Sequence, residues 1–284
     1  MDRVFVVDDA STDGTARVVE AAAHRDPRVR LIRHPANAGP GGAIVTGSRA
    51  AWDEKIDLVA VAGADHQMDL AELPRLLDPL VDGRADYAKG NRFLRPELAR
   101  MPLHRFVGNI IITALTKIAS GFYKTADVVE GYTAITREGI ERIDWSRAWK
   151  GYGYPMDFLI RVNAHGLRLA DVPRAAIYRP GVRQSQIKPL RYALRVSPML
   201  WSGFLWRLKY KYLIHDFHPL VLFYAMALTC LPVGILFGFW LVWLQWAGHG
   251  VSGPKAIFDA LLLVSGSQSL FFAMFFDMQV SHER

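Results

Sequence analysis

VFVVDDASTDGT (Val4–Thr15), VRLIRHPANAGPGG (Val29–Gly42) and LVAVAGADHQMD (Leu58–Asp69) are three apolar runs that each end in a polar or glycine-rich segment. Arg3–Asp9 reads as a buried strand ending in acids, and Thr15–Ala23 as a helix with Asp13 as its N-cap. Val29–His34 reads as a second strand, Asn37–Gly42 as a loop, Ala43–Trp52 as a helix and Leu58–Ala62 as a third strand. Strand–helix alternation of this kind implies a parallel, doubly wound α/β sheet with right-handed crossovers. Ligands of such sheets sit beyond the carboxyl ends of the strands. Asp8, Asp9 and Asp65 fall at those ends and are candidates on position alone.

Further along, Tyr87–Arg92 has a strand pattern and Leu103–Ser120 that of a largely apolar helix, its run too short and too interrupted to span a bilayer. Gly131–Thr136 reads as a strand, Met156–Ala164 as a helix and Arg168–Tyr178 as a strand. Leu190–Ile214 mixes Arg191, Arg195, Arg207, Lys209 and Lys211 with Trp201, Trp206, Tyr210 and Tyr212. That composition suits helices lying in a headgroup layer, with Pro198 breaking the run in two. A core helix with a solvated basic face is the plainer alternative. Pro219–Trp246 and Ala260–Phe276 approach or exceed the about 20 apolar residues that cross hydrocarbon. Trp240, Trp243 and Trp246 form a belt at one end of the first span, and Ala247–Lys255 is the connecting loop.

Charge is unevenly placed. The 284-residue chain carries a formal +7, and Phe217–Pro254 contains no Asp, Glu, Lys or Arg. Between Val172 and His215 there are nine Lys or Arg and no acid. A basic block directly before an uncharged apolar stretch points to lipid and phosphate and away from nucleic acid. It also places both chain ends in the cytoplasm by the positive-inside rule. The single cysteine, Cys230, excludes an intrachain disulfide and a cysteine-built metal site. Met1-Asp2-Arg3 runs straight into the first strand pattern, so no cleavable leader is expected.

Asp65 and Gln67, two apart beyond a strand, could share one hard cation, although a lone Asp there is more often a turn former or helix cap. VVDDASTDGT (Val6–Thr15), NAGPGGAIVTG (Asn37–Gly47), GADHQMD (Gly63–Asp69), GNR (Gly90–Arg92), MPLHR (Met101–Arg105), GYTAI (Gly131–Ile135) and DVP (Asp171–Pro173) follow in order. Together they resemble the family 2 glycosyltransferases of GT-A fold, in the dolichyl/polyprenyl-phosphate sugar synthase branch, over roughly Val4 to Lys188. The resemblance implies a GT-A (Rossmann-like), mostly parallel sheet with helices on both faces, followed by amphipathic interfacial helices and two transmembrane helices. The expected division is a catalytic domain at 1–186, interfacial helices at 187–215 and a transmembrane hairpin at 216–284.

Carried onto this chain, the resemblance assigns Asp9 to the nucleobase, with Val7 lining its pocket. Asp65 and Gln67 match the metal-binding end of an Asp-x-Asp-x-Gln motif, which implies Mg²⁺ or Mn²⁺ and puts Asp65 beside the nucleotide diphosphate. Arg92 and Arg105 match arginines at the diphosphate and the acceptor phosphate, and with Asp65 form the expected catalytic set. Arg179, Arg183, Ser185 and Lys188 fall in a phosphate-binding loop that closes over the site. Arginine suits phosphate because its planar fork grips two oxygens; a surface ion pair is the plainer reading of each. Asp127 and Asp157 match acidic positions that either act directly or orient an arginine or cap a helix.

The implied reaction is inverting transfer of a sugar from a GDP- or UDP-linked donor to polyprenyl or dolichyl phosphate at the cytoplasmic membrane face. The implied partners are a nucleotide sugar, the lipid phosphate and the bilayer, with no nucleic acid and with a homo-oligomer left open. Two departures stand out. Gly63 replaces the first acid of the metal motif, and the chain opens at what resembles the family's second strand, so the first strand, its loop and helix are expected to be missing. These departures keep alive a non-catalytic membrane protein with a degenerate nucleotide-sugar fold; a transferase acting on a glycolipid or polysaccharide is a separate alternative within the same enzyme class.

Overall fold

The computed structural model describes residues 1–65, 67–94, 103–175, 189–215 and 217–280, with side chains from 110 and from 192 in the two helices that open at Leu103 and Pro189. It divides into two compact units, Met1–Arg207 and Leu208–Arg284.

In the first unit, β1 (Val4–Asp8) pairs in parallel with β2 (Val29–Arg33), with α1 (Thr15–Arg25) between them in sequence. The Thr15 amide donates to Asp13 Oδ1 at 2.9 Å, so Asp13 serves the first turn of α1 from one residue outside the Gly14 cap. α2 runs Pro40–Asp53, starting inside the expected Asn37–Gly42 loop. Proline is preorganised for a first helical position. The Gly41 amide donates to the Lys150 carbonyl at 2.8 Å, and a Cβ on Gly41 would collide with the Trp149 carbonyl, so only glycine allows this approach.

A second sheet contains β3 (Leu58–Val61), β4 (Tyr87–Asn91), β5 (Thr133–Thr136) and β6 (Leu169–Pro173) in the order β3-β5-β4-β6. The expected mostly parallel sheet is corrected at one strand, β5. β5 is antiparallel to both neighbours, β4 and β6 are parallel, and among the described residues no ladder joins this sheet to β1–β2. The reversal has a local cause. Thr125 and Asp127 are bonded to Asp171, Lys89 and Arg92 at the carboxyl ends of β6 and β4, so the chain enters β5 from that edge and must run back.

Alternation along the strands sorts the two faces. Val59, Ile135, Tyr87 and Leu169 form one cross-strand row. That row packs with Ile140, Ile143 and Val162 from α5 (Arg137–Arg142), the turn after it and α6 (Tyr154–Ala164). The next row is Ala60, Ala134, Ala88 and Ala170. Its short side chains let Leu76 and Leu80 of α3 (Leu73–Val81) pack close to the opposite face. All eleven α6 residues except Tyr154 are buried.

α4 (Leu103–Ser120) packs on α6, and α7 (Pro189–Lys209) passes unbroken through Pro198. Pro198 and Leu194 both lie on the exposed side of α7, so the bond that proline cannot make is lost at the surface and not in the core, and the expected break does not occur. In the second unit α8 (Leu220–Trp246) and α9 (Gly253–Val280) pair closely. Gly234 lies against Leu262 and Leu263, and Gly266 against Leu231, the small-residue packing of apolar helices. α9 outruns the expected Ala260–Phe276 at both ends. Lys255, near its start, stands 5.3 Å over the Trp240 ring, and Asp277 at its end accepts from the Tyr212 hydroxyl at 2.6 Å. Both helices are long and apolar enough to cross a membrane, and only 22% and 17% of their most apolar windows are buried in the chain.

Leu159 is fully buried on α6, whereas Val18 on α1 is exposed. Leu159→Ala is expected to lower unfolding stability by about 2–5 kcal/mol, and Val18→Ala to change it by less than about 0.5 kcal/mol, as read from denaturant melts in detergent.

Candidate active site

β3, β4 and β6 run the same way, so Val61, Asn91 and Pro173 end at one edge, and the reversed β5 brings Asp127–Glu130 to that edge. A buried network of ions results. Arg92 grips Asp127 with Nε at 2.6 Å from Oδ2 and Nη2 at 2.8 Å from Oδ1, and its Nε lies 3.2 Å from Glu130 Oε2. Arg174 contacts the same Glu130 oxygen through Nε at 2.9 Å and Nη2 at 2.8 Å. Behind them Lys89 pairs with Asp171 at 2.9 Å and donates to the Asp127 carbonyl at 2.9 Å. Asn91 Nδ2 also donates to Asp171, at 2.9 Å. Three cations thus face three carboxylates. Buried charges persist only when paired in this manner.

The loop after β3 is tied to the same network. Arg174 Nη1 donates to the Gln67 carbonyl at 3.0 Å. The Gln67 amide donates to Asp65 Oδ1 at 3.1 Å, and the Gly63 amide contacts Met68 Sδ at 3.1 Å. Asp65 itself is exposed, its carboxylate open at the mouth of the edge. Among the described residues no group of three or more His, Cys, Asp or Glu could hold a metal. An open single carboxylate still fits Mg²⁺ or Mn²⁺, because such ions take one or two protein oxygens and the rest from phosphate and water.

At the carboxyl ends of β1 and β2 the second expected acid, Asp9, sits in a different arrangement. Its Oδ1 accepts from the Ala38 amide at 2.7 Å and contacts His34 Nδ1 at 2.7 Å, and its Oδ2 accepts from the Gly39 amide at 2.8 Å. His34 Nε2 lies 2.9 Å from Thr46 Oγ1. Burial would raise the Asp9 carboxyl, but these hydrogen bonds outweigh it and hold the group below its ordinary value. Asp9 therefore anchors the loop that opens α2. Val7 faces α2, with Cγ2 3.3 Å from where a Cβ on Gly47 would stand. The neighbouring Asp8 is buried and accepts from the Ser11 amide at 2.9 Å, around an Ala10 held at φ 61°. Beside them Asp8, Ser11, Arg17, Arg33 and His34 line a cavity of about 460 Å³.

The structure thus gathers Asp65, Gln67 and Arg92 at one edge and places Val7 and Asp9 against α2. The Arg105 side chain and Arg179, Arg183, Ser185 and Lys188 lie outside the described residues. Asp127 orients Arg92. Asp157 pairs with Arg161 at 2.7 Å and accepts from the Trp149 amide at 2.9 Å, so it organises α6 and the turn before it. Sequence reasoning missed Glu130, Arg174 and His34. Glu130 directly precedes GYTAI and Arg174 directly follows DVP, so a charged residue flanking each motif was the available signal.

The family model described as Glycosyl transferase family 2 matches residues 2–144, half of the chain. The chain belongs to glycosyl transferase family 2. The undecaprenyl-phosphate mannosyltransferase of Micrococcus luteus is 30% identical to this transferase over 178 residues, 62% of this chain and 72% of that one. The UDP-N-acetylglucosamine–dolichyl-phosphate N-acetylglucosaminyltransferase of Methanococcus voltae is 26% identical over 190 residues, 62% and 75% of the two chains. Among solved structures, glucosyl-3-phosphoglycerate synthase of Mycobacterium tuberculosis, in complex with Mn²⁺, UDP-glucose and glycerol 3-phosphate, matches with a TM-score of 0.50 at 22% identity. That match covers 72% of the transferase and 69% of the synthase, and at this identity it shows a shared GT-A-like α/β fold alone.

Burial would raise the Asp127 carboxyl, but Arg92, with Lys89 behind it, holds it below its ordinary value of 3.8. A lowered carboxyl contributes stability that is present above 3.8 and lost as pH falls through its folded value. Asp127→Asn is therefore expected to lower Tm at neutral pH, and its gap from the native transferase to narrow as both are melted at progressively lower pH below 3.8.

Proposed function

We propose that this transferase moves a sugar from a GDP- or UDP-linked donor to polyprenyl or dolichyl phosphate, with inversion, at the cytoplasmic face of a membrane. The observation that carries the reading is the open Asp65 carboxylate on a loop clamped by Arg174, beside the oriented Arg92 guanidinium. The relatives named for transfer to undecaprenyl and dolichyl phosphate support this choice of acceptor. The proposed organisation is a catalytic domain over 1–186, interfacial helices over 187–215 and a transmembrane hairpin over 216–284. Support for the hairpin comes from two long helices whose apolar side chains mostly face outward from the chain and need an apolar surrounding.

The chemistry asks little of a general base, because a lipid phosphate is already ionised at neutral pH. What remains is positioning and the neutralisation of charge on the departing diphosphate. Asp65, with Gln67, would hold Mg²⁺ or Mn²⁺, which supplies Lewis-acid neutralisation when bound. Arg92 is held in one orientation by Asp127, and its side chain is 28% exposed. Arg105, Arg179, Arg183, Ser185 and Lys188 are proposed as further phosphate contacts and Asp9 with Val7 as the base pocket, all on the resemblance. Direct displacement by the acceptor phosphate inverts the anomeric carbon.

A second reading, a protein that binds nucleotide sugar without transferring it, is favoured by Gly63, where the motif expects an acid. The deciding experiment is a donor panel assayed with membranes, polyprenyl phosphate and Mg²⁺ or Mn²⁺. Donor binding without transfer of label to lipid would establish the second reading. On the proposed reading, Asp65→Ala reduces metal-dependent transfer by about a hundredfold or more, and Gln67→Ala reduces it less. Native activity in Asp65→Ala across a metal titration would refute the metal assignment. Arg174→Met is expected to raise the metal concentration for half-maximal rate by about tenfold, through loss of the clamp on Gln67.

A further inference from the structure

Tyr154 opens α6 and is the one residue of that helix that is not fully buried. The base of its side chain is fixed on two sides. A Cβ on Gly41 would come within 2.8 Å of the Tyr154 Cβ, and the Tyr154 ring meets Phe158 edge-on with centres 5.4 Å apart. From there the side chain reaches the edge of the main sheet, where a Cβ on Gly131 would collide with its hydroxyl. Glycine at the entry to β5 is therefore what gives the phenol oxygen its place. The neighbouring Tyr132 hydroxyl donates to the Asp69 carbonyl at 3.3 Å, whereas the Tyr154 hydroxyl has no hydrogen-bond partner among the described residues. It is not sealed from solvent either. A tyrosine hydroxyl set this far into a fold ordinarily finds a partner.

The surroundings say what that partner is. Met68 Cε lies 3.5 Å from the same point at Gly131 and 3.7 Å from where a Cβ on Gly63 would stand, and Asp65 Oδ1 lies 3.3 Å from that second point. Gly131 directly follows Glu130, the carboxylate shared by Arg92 and Arg174. The stem of Tyr154 thus touches the opening of α2, while its hydroxyl stands on the side of Asp65 and Arg92. Burial pushes the phenol up from its ordinary value of 10.0, and Tyr87, Glu130 and Asp65 push it the same way. At neutral pH the group is therefore a neutral donor. A phosphate would find a better grip on Arg92 than on a phenol beside carboxylates. An alcohol fits, because it accepts from the phenol and still has a proton to donate.

We propose that the Tyr154 hydroxyl binds a hydroxyl of the transferred sugar, in a space bounded by Gly131 and the Met68 methyl group. The inference rests on the nucleotide-sugar reading above and adds to it a residue that selects among donors. A group that hydrogen-bonds a substrate hydroxyl discriminates more sharply than apolar contact does.

The test measures equilibrium binding to the full chain in detergent with Mn²⁺ present. The probes are UDP-glucose, UDP-N-acetylglucosamine and GDP-mannose, each compared with UDP or GDP alone. Tyr154→Phe keeps the ring against Phe158 and removes only the hydroxyl, so an unchanged Tm is expected. Affinity for the nucleotide sugar that the native chain binds best is expected to fall by about fivefold to tenfold, with the matching free diphosphate bound within about twofold of native. Gly131→Ala, which drives the phenol from its place, is expected to show the same selective loss. Equal loss for the sugar-linked and the free diphosphate assigns the hydroxyl to the nucleotide and overturns the proposal, as does no loss for either. A native chain that binds none of the three donors overturns both this contact and the nucleotide-sugar reading. Selective loss in a chain that transfers no label to lipid refutes transfer and leaves the Tyr154 contact standing.

Discussion

Glu130 is a buried carboxylate shared by two arginines, and the edge of the main sheet is arranged around it. Arg174 holds its oxygen at 2.8 Å and Arg92 approaches the same atom at 3.2 Å. Through them it reaches Asp127 on one side and the Gln67 carbonyl on the other. Removing one partner from such a set leaves a buried charge uncompensated, which costs far more than any single bond returns. Four segments are therefore held in one register: the loop after β3, the ends of β4 and β6, and the entry to β5.

That register explains the reversed strand. With Asp127 and Glu130 tied to the carboxyl edge, β5 can only run away from it, between β3 and β4. The reversal brings acids to an edge where forward strands alone would bring their own last residues. The same alternation that faces Tyr87 and Ile135 toward α5 and α6 leaves an alanine row for α3. Close packing on both faces stiffens the edge, and a stiff edge can present Asp65 and Arg92 in fixed positions.

The second unit solves a different problem with the same rule. Its helices carry few charges, and the buried Asp277 accepts from the hydroxyls of Tyr212 at 2.6 Å and Tyr224 at 3.4 Å. A carboxylate among apolar helices needs such donors. The bonds tie the segment before α8 to the last turns of α9, so the closeness of the hairpin rests on polar contacts at this end and on glycine packing at Gly234 and Gly266.

Read alone, the sequence determined the positions of the six strands and most helices among the described residues, the two long apolar spans, and family 2 membership. Those features are local: period-two and period-3.6 patterns, unbroken apolar length, and short motifs in fixed order. It also singled out Asp65, Arg92, Asp127 and Asp157 as residues of interest. Only the tertiary structure decided the direction of β5, the start of α2 at Pro40 and the continuity of α7 through Pro198. It alone paired Glu130 with Arg174, forty-four residues apart, and turned Asp9 toward His34 and the α2 loop. The reason is that periodicity reports which face a residue takes, whereas the partner of a buried charge depends on which distant segments the fold brings within about 3 Å.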